Sequence, residues 1–243
     1  MENQRFTVKF ATTEQEKQQV YSLRYTDMLK EYRPDLVIEN GLDYTPYDDY
    51  AKQIICIDNQ TNQIVGSYRL LQDFDLPKDK KFACQNDFDV SSIINSGHSI
   101  CELTRAVVKK EYRNTPVLTN LLRFVISYIK EKKFRFVVGE ASMMGNDKTM
   151  FLPQLSYLAN FCKIEDYPVF SLEKEQIPLL SPDKFDEIQA KRNLPPLFKA
   201  YLGFGAKFSD QYFTDVVFGS VDVFVLMDTT KLNDLYIKKL LKI

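Results

Sequence analysis

The segment that most constrains the fold runs from Ser99 to Gly139. Val117, Leu118, Leu121, Leu122, Val125, Ile126 and Ile129 recur there at three- and four-residue spacing, which places them in one apolar stripe along a helix. Thr115-Pro116 stands in front of the stripe and predicts a threonine N-cap with proline at the first helical position. Lys130, Lys132 and Lys133 follow it, where positive charge complements the helix dipole. Ser99–Val108 before the helix and the run FRFVVG from Phe134 after it read as strands. A helix with one apolar stripe between two strands must lie on a sheet, so the chain is committed to packed layers of helix and strand.

The flanks extend this pattern. Residues Arg5 to Ala11 alternate as a strand does, and Thr12-Thr13 with Glu14 and Glu16 behind them marks a helix start. Arg33-Pro34 ends that helix. Ile54–Ile57 and Ile64–Leu71, on either side of the polar run Asp58–Gln63, read as an antiparallel hairpin. Further on, Pro153–Phe161 and Leu197–Leu202 read as helices, Gly203–Ala206 as a turn and Val221–Met227 as a buried strand. Glu165–Asp186 contains prolines and little periodicity. The expectation is a mixed sheet covered by helices. With no linker in 243 residues, it is a single domain, with a core at about 5–162 and a C-terminal extension at about 163–243.

Several function classes lose ground on composition. Thirty-two basic residues against 33 acidic ones argue against bulk attachment to nucleic acid. Cys56, Cys84, Cys101 and Cys162 are far apart with no CxxC spacing, as expected for buried reduced thiols in the cytoplasm. The start MENQRFTVKF carries charges where a signal peptide needs an apolar run, and no apolar stretch approaches the ~20 residues of a spanning helix. A single histidine, His98, offers no metal cluster, and there is no GxxxxGK[ST] or GxGxxG phosphate loop. Cys101 and His98 stand three apart, so on a strand they point to opposite faces and make a poor nucleophile–base pair. The tail Leu232–Ile243 mixes leucines with Lys238, Lys239 and Lys242, a pattern shared by a packed helix and by one making peripheral membrane contact.

Glu102-Leu103-Thr104-Arg105-Ala106-Val107-Val108 with Glu111-Tyr112-Arg113 resembles the ELxR strand and following yR turn of ornithine lipid synthases and acyl-homoserine-lactone synthases. Both are relatives within the GNAT superfamily of N-acetyltransferases. Gly41-Leu42-Asp43 with Tyr47-Asp48, Ile64-Val65-Gly66-Ser67-Tyr68-Arg69-Leu70-Leu71 and Asp87-Phe88-Asp89 are similar to further elements of that family, in the same order. Leu194-Pro195-Pro196-Leu197-Phe198-Lys199-Ala200-Tyr201-Leu202 and Asp222-Val223-Phe224-Val225-Leu226 resemble its C-terminal signatures and favour the ornithine lipid synthase branch. Two departures stand out. Arg113-Asn114-Thr115-Pro116 lacks the glycine common after the yR element, and Tyr50-Ala51-Lys52-Gln53 lacks a histidine expected after the FD element.

The resemblance implies a GNAT-like, mostly antiparallel central sheet flanked by helices. It implies transfer of a fatty acyl group from a phosphopantetheine thioester, on acyl carrier protein or coenzyme A, to the α-amine of an amino acid such as ornithine. No bound cofactor is needed. The thioester arm is expected along the backbone of Leu103, Thr104, Ala106, Val107 and Val108, and its phosphate at Arg113, Asn114 and Thr115, where a helix N-terminus offers unpaired N–H groups. Glu102 is the candidate general base and Arg105 its catalytic neighbour, and Arg24, Asp48 and Arg69 are candidate acceptor-binding residues. Equally, Glu102 could only pair with these arginines, and Asp48 could only cap a turn. Lys109, Lys110, Arg113, Arg123, Lys130, Lys132, Lys133 and Arg135 could steer an acidic acyl carrier protein or form a solvated face. Two alternatives remain open: a lactone-signal synthase, or an acyl-carrier-binding protein without turnover.

Overall fold

A computed structural model describes residues 5–241; Met1–Gln4 and the last two residues of the lysine-bearing tail, Lys242 and Ile243, lie outside it. In chain order the elements are β1 (Phe6–Phe10), α1 (Glu14–Arg24), a π-helical turn (Tyr25–Leu29) running into α2 (Lys30–Tyr32), β2 (Lys52–Asp58), β3 (Gln63–Gln72), β4 (Phe88–Asp89), α3 (Ser91–Ile94), β5 (Ile100–Val108) and α4 (Val117–Lys132). There follow β6 (Phe136–Met144), α5 (Leu152–Phe161), β7 (Phe170–Ser171), α6 (Glu187–Arg192), α7 (Pro196–Phe204), β8 (Lys207–Asp215), β9 (Ser220–Asp228) and α8 (Asp234–Leu241). Two compact units result: residues up to Lys80 with Cys101–Lys133, and Lys81–Ile100 with Phe134 onward. None of the described helices is long and apolar enough to cross a membrane.

The first unit is an antiparallel sheet in which β2 pairs with β1 and β3, and β3 with β5. Helix α1 begins as its sequence requires: the Thr13 hydroxyl accepts the Glu16 N–H at 3.2 Å, and Glu16 Oε2 accepts the Thr13 N–H at 3.2 Å. That reciprocal pair satisfies two donors the helix cannot use internally. On α4 the predicted stripe is buried at Val117, Leu121, Leu122, Val125, Ile126 and Ile129. At about 2 kcal/mol per side chain, it contributes on the order of 10 kcal/mol before chain entropy is charged against it. Gly66 on β3 lies directly beneath, where a Cβ would stand 2.6 Å from Val117 Cγ1 and 3.1 Å from Leu121 Cδ1. Even-numbered β3 residues therefore face α4, and odd-numbered ones such as Ser67 and Arg69 face the other side.

The start of α4 differs from its prediction. The Thr115 hydroxyl donates to the Tyr112 carbonyl at 2.6 Å, and Pro116 takes the cap position with no side-chain bond. Thr115 is thus spent on the preceding turn, and no side chain caps the first N–H groups of α4.

The second unit is also antiparallel, with β9 paired to β6 and β8, and a short β4–β7 pair. Helix α7 runs to Phe204, two residues further than the sequence suggests. Gly203 lies inside it because Tyr236 packs there, 2.5 Å from where a Cβ would be, and Gly205 at φ +90° makes the turn. The aperiodic Glu165–Asp186 stretch holds only β7 and one 3-10 turn. Strand β8 escapes the sequence pattern because its register slips between Phe208 and Tyr212. There Ser209 Oγ donates to the Gln211 carbonyl at 2.7 Å and accepts the Phe224 N–H at 2.9 Å, replacing a lost ladder bond.

Candidate active site

On the face of the first unit opposite α4, α1 delivers Arg24 from its last turn and β3 delivers Arg69. Arg24 is fully buried, so every N–H must find a partner. Its Nε donates to Asp43 Oδ2 at 2.9 Å, Nη1 to Asp48 Oδ1 at 2.8 Å, and Nη2 to Asp48 Oδ2 at 3.0 Å and to the Asp43 carbonyl. Asp48 sits in a single turn, Pro46–Asp49, where Oδ2 accepts the Thr45 N–H at 2.8 Å and the Thr45 hydroxyl at 3.0 Å. Gln53 Nε2 donates to Oδ1 at 2.9 Å, and Arg69 Nη1 approaches Oδ2 at 3.4 Å. Burial alone would raise the Asp48 carboxyl, but the hydrogen bond and charge of Arg24 outweigh it and hold it at about 2.

Six donors on two oxygens exhaust the lone pairs of Asp48. It caps its own turn and locks two arginines, with no acceptor capacity left for an incoming amine. Arg24 spends four of its five N–H groups on Asp43 and Asp48. The two residues hold each other and their loop, and so frame the site.

Arg69 is different. Nε donates to Thr104 Oγ1 at 2.8 Å and Nη1 to Thr45 Oγ1 at 2.7 Å, while Nη2 has no hydrogen-bond partner among the described residues. Burial, then the neighbouring charges of Arg105 and Arg24, lower this guanidinium to about 10. It is held where more negative charge would stabilise it.

Strand β5 supplies the other candidates. Thr104 stands opposite Arg69 and reaches it, so Glu102, two residues back, lies on the same face. Glu102 is fully buried, and its charge is felt by both Arg69 and Tyr50. Immediately afterwards the strand bulges. Ser67 pairs with Val107 and Arg69 with Thr104, leaving Arg105 and Ala106 opposite the single residue Tyr68. Arg105 takes φ +54°, a left-handed conformation that a non-glycine residue adopts only where its surroundings enforce it. Bulges of this kind re-aim a side chain. Here Arg105 Nε comes within 3.2 Å of Asp43 Oδ2 while the side chain stays 28% exposed.

The structure thus brings Glu102, Arg105, Arg24, Asp48 and Arg69 into one electrostatic cluster, and adds Asp43, Thr45, Gln53 and Thr104. Of these, Asp43 was visible only as part of a GLD string, Thr104 was expected to offer backbone alone, and nothing in the pattern singled out Thr45 or Gln53. Leu103, Thr104, Val107 and Val108 pair with β3 along one edge of β5. Asn114 is exposed next to the uncapped start of α4. Arg113 is already engaged: Nη1 donates to Glu31 Oε1 at 2.8 Å, Nη2 to Glu31 Oε2 and to the Asp27 carbonyl at 2.9 Å. Cys101 is buried, and desolvation pushes its thiol well above the ordinary range, so it is no nucleophile.

A family model described as an acetyltransferase (GNAT) domain matches residues 13–123. An L-ornithine Nα-acyltransferase of Rhodobacter capsulatus is 24% identical over 238 residues, covering 94% of this chain and 92% of that protein. One from Brucella abortus is 29% identical over 180 residues, covering 72% of this chain and 64% of that protein. Among solved structures, the CoA-dependent acyl-homoserine lactone synthase MesI superposes with a TM-score of 0.53 at 13% identity, over 98% of this chain and 96% of that one. That likeness is one of fold, and the fold is GNAT-like as the matching domain model describes it. Residues 13–123, which hold α1, the Asp43–Asp48 loop and the bulged strand β5, match the GNAT acetyltransferase domain model, and over most of its length the chain is similar to L-ornithine Nα-acyltransferases.

Proposed function

We propose that this protein transfers a fatty acyl group from a phosphopantetheine thioester to the α-amine of an amino acid, with ornithine the first acceptor to test and acyl carrier protein the first donor. The observation that carries this reading is the asymmetry of the ionic cluster. Asp48 is saturated and Arg24 spends four of its five N–H groups on carboxylates and a carbonyl, whereas Arg69, over the Tyr47 ring, keeps Nη2 without a hydrogen-bond partner among the described residues, beside the part-exposed Arg105 and the buried Glu102. A cationic pair next to a carboxylate suits an amino-acid zwitterion: the carboxylate of the acceptor on Arg69 and Arg105, its ammonium toward Glu102.

Chemistry follows from that placement. Glu102 takes a proton from the ammonium, directly or through water, and the freed amine attacks the thioester carbonyl. As the C–N bond forms, charge gathers on the carbonyl oxygen. The β5 bulge disturbs the ladder at Arg105 and Ala106, and a backbone N–H turned toward the site there is a donor suited to that oxygen. Collapse breaks the C–S bond, the thiolate leaves and takes a proton, and the product is an amide. The enzyme forms no covalent intermediate. The donor arm runs along β5, with its phosphate toward Arg113, Asn114 and Thr115 at the start of α4, and Lys109, Lys110 and Arg123 give this side a basic character for an acidic carrier protein.

The decisive experiment incubates the purified protein with acyl carrier protein and CoA thioesters, each against ornithine, lysine, glycine and S-adenosylmethionine. Thiol release and product mass are then read. Acceptor-dependent release with an N-acyl amino acid product supports the reading. Release only with S-adenosylmethionine, or with no acceptor at all, overturns it.

A further inference from the structure

The guanidinium of Arg113 is gripped like a structural residue, although it stands where the donor's phosphate is placed by the proposed function, on which this inference rests. Glu31 takes it in a two-pronged fork, the Asp27 carbonyl adds a third bond, and Nε reaches the Val108 carbonyl at 3.3 Å. Alongside, the Lys110 N–H donates to Asp27 Oδ1 at 2.9 Å. Hence the loop following β5 is clipped to the helical segment that follows α1. Asp27 and Glu31 stand three and seven residues beyond Arg24, on one stripe of a continuous helical rod. The rod includes the π-helical turn, in which the Lys30 N–H reaches the Tyr25 carbonyl five residues back, an under-wound step often found at functional sites. One end of the rod holds Asp43 and Asp48 through Arg24, and the other holds Arg113 through Glu31.

A carboxylate fork and a phosphate compete for the same guanidinium geometry. The side chains of Arg113 and Glu31 are 35% and 26% exposed, so an anion can reach the pair from solvent, and the pair is weak enough to exchange. We propose that Glu31 is a positioning residue acting through Arg113: it occupies the fork in the free protein and yields it to the donor's phosphate. Donor binding is thereby coupled to the rod that carries Arg24. By linkage, whatever holds the rod against Arg113 weakens the donor, and the donor loosens the rod by the same factor.

The test compares equilibrium binding of 4′-phosphopantetheine and of pantetheine, which differ only in the phosphate, to the wild type, Glu31→Gln and Arg113→Gln. Removing the competing charge should tighten the phosphate-bearing probe by about three- to fivefold, the worth of one part-exposed ion pair, and leave pantetheine unmoved. Arg113→Gln should weaken the phosphate-bearing probe alone. A Glu31→Gln protein that binds both probes as the wild type does, or shifts both equally, overturns the inference. So does a wild type that fails to distinguish the probes. If Glu31→Gln does not fold, Glu31→Ala and the salt dependence of wild-type binding serve instead: both must affect only the phosphate-bearing probe. Acyl transfer by the wild type, measured on the same preparations, reads the proposed function separately, so either can fail alone.

Discussion

Asp222 offers the sharpest quantitative test of the electrostatics. It lies on β9 in register with Phe213 of β8 and Ser142 of β6 and is 4% exposed. Phe88 stands 6.4 Å from Phe213 and 6.0 Å from Phe224 on the same face. Its Oδ1 has no hydrogen-bond partner among the described residues. Burial raises this carboxyl, the Ser142 and Ser220 hydroxyls work against it, and Asp215 and Asp87 add to the rise, leaving it at about 7. In the unfolded chain an aspartate titrates at about 4. Between those values the native state holds a proton the unfolded state has lost, so stability falls as pH rises from about 4 to about 7 and then levels. Three decades at about 1.4 kcal/mol each amount to roughly 4 kcal/mol. Asp222→Asn abolishes that titration without changing shape. The variant should match the wild type near pH 4 and exceed it by up to about 4 kcal/mol at pH 8, read as a shift in urea midpoint at constant m value. Curves for wild type and variant that run parallel from pH 4 to 8 would refute the assignment.

Other consequences are more local. Glu102→Gln should fold, and lower kcat/KM for acyl transfer by about 10²- to 10⁴-fold, the usual span for loss of a general base; turnover equal to the wild type would remove Glu102 from the chemistry. Asp48→Asn strips a saturated carboxylate from two buried arginines and should destabilise by about 3–5 kcal/mol. Because Asp48 is held at about 2, its stabilisation is present above about pH 4 and fades as pH falls toward 2, so variant and wild type should converge there in acid unfolding. Gly66→Ala drives a methyl into Val117 and Leu121 and should cost about 1–3 kcal/mol of thermal stability; an unchanged midpoint would mean that α4 packs more loosely than the distances state.

Much of this was legible because local and tertiary demands coincide. Thr13 with Glu16 caps α1, the stripe from Val117 to Ile129 packs α4, and the hairpin of β2 and β3 turns between Asp58 and Gln63 as its polar run requires. Illegible elements are those where tertiary context overrules the local pattern. Strand β8 breaks its own alternation at Ser209–Gln211. Gly203 reads as a helix end yet lies inside a helix because a tyrosine ring needs the space. Thr115 has the composition of an N-cap and the geometry of a turn donor. In the site, arginines and acids at the right positions were visible, but which were saturated and which remained open depends on partners such as Thr45 and Gln53 that no periodicity marks. The bulge at Arg105 was equally hidden, since φ +54° at an arginine contradicts local preference.

The contradiction at Arg105 makes sense beside the charge balance of the cluster. Three guanidiniums, Arg24, Arg69 and Arg105, face three carboxyls, Asp43, Asp48 and Glu102, so with all ionised the group is neutral. A neutral cluster is the arrangement that burial tolerates. On the proposed chemistry, a proton moving from the acceptor's ammonium to Glu102 leaves the cluster one positive charge in excess, which the acceptor's carboxylate on Arg69 and Arg105 balances. Attack then places one negative charge on the carbonyl oxygen and one positive charge on the nitrogen, and the positive field of the arginines favours that oxyanion over the neutral carbonyl before it. Had Arg105 followed the regular pleat, it would have pointed away from this face. The bulge turns it back, and the strain at that residue is the physical trace of recruiting a third cation to a site that Arg24 and Arg69 alone would leave negative.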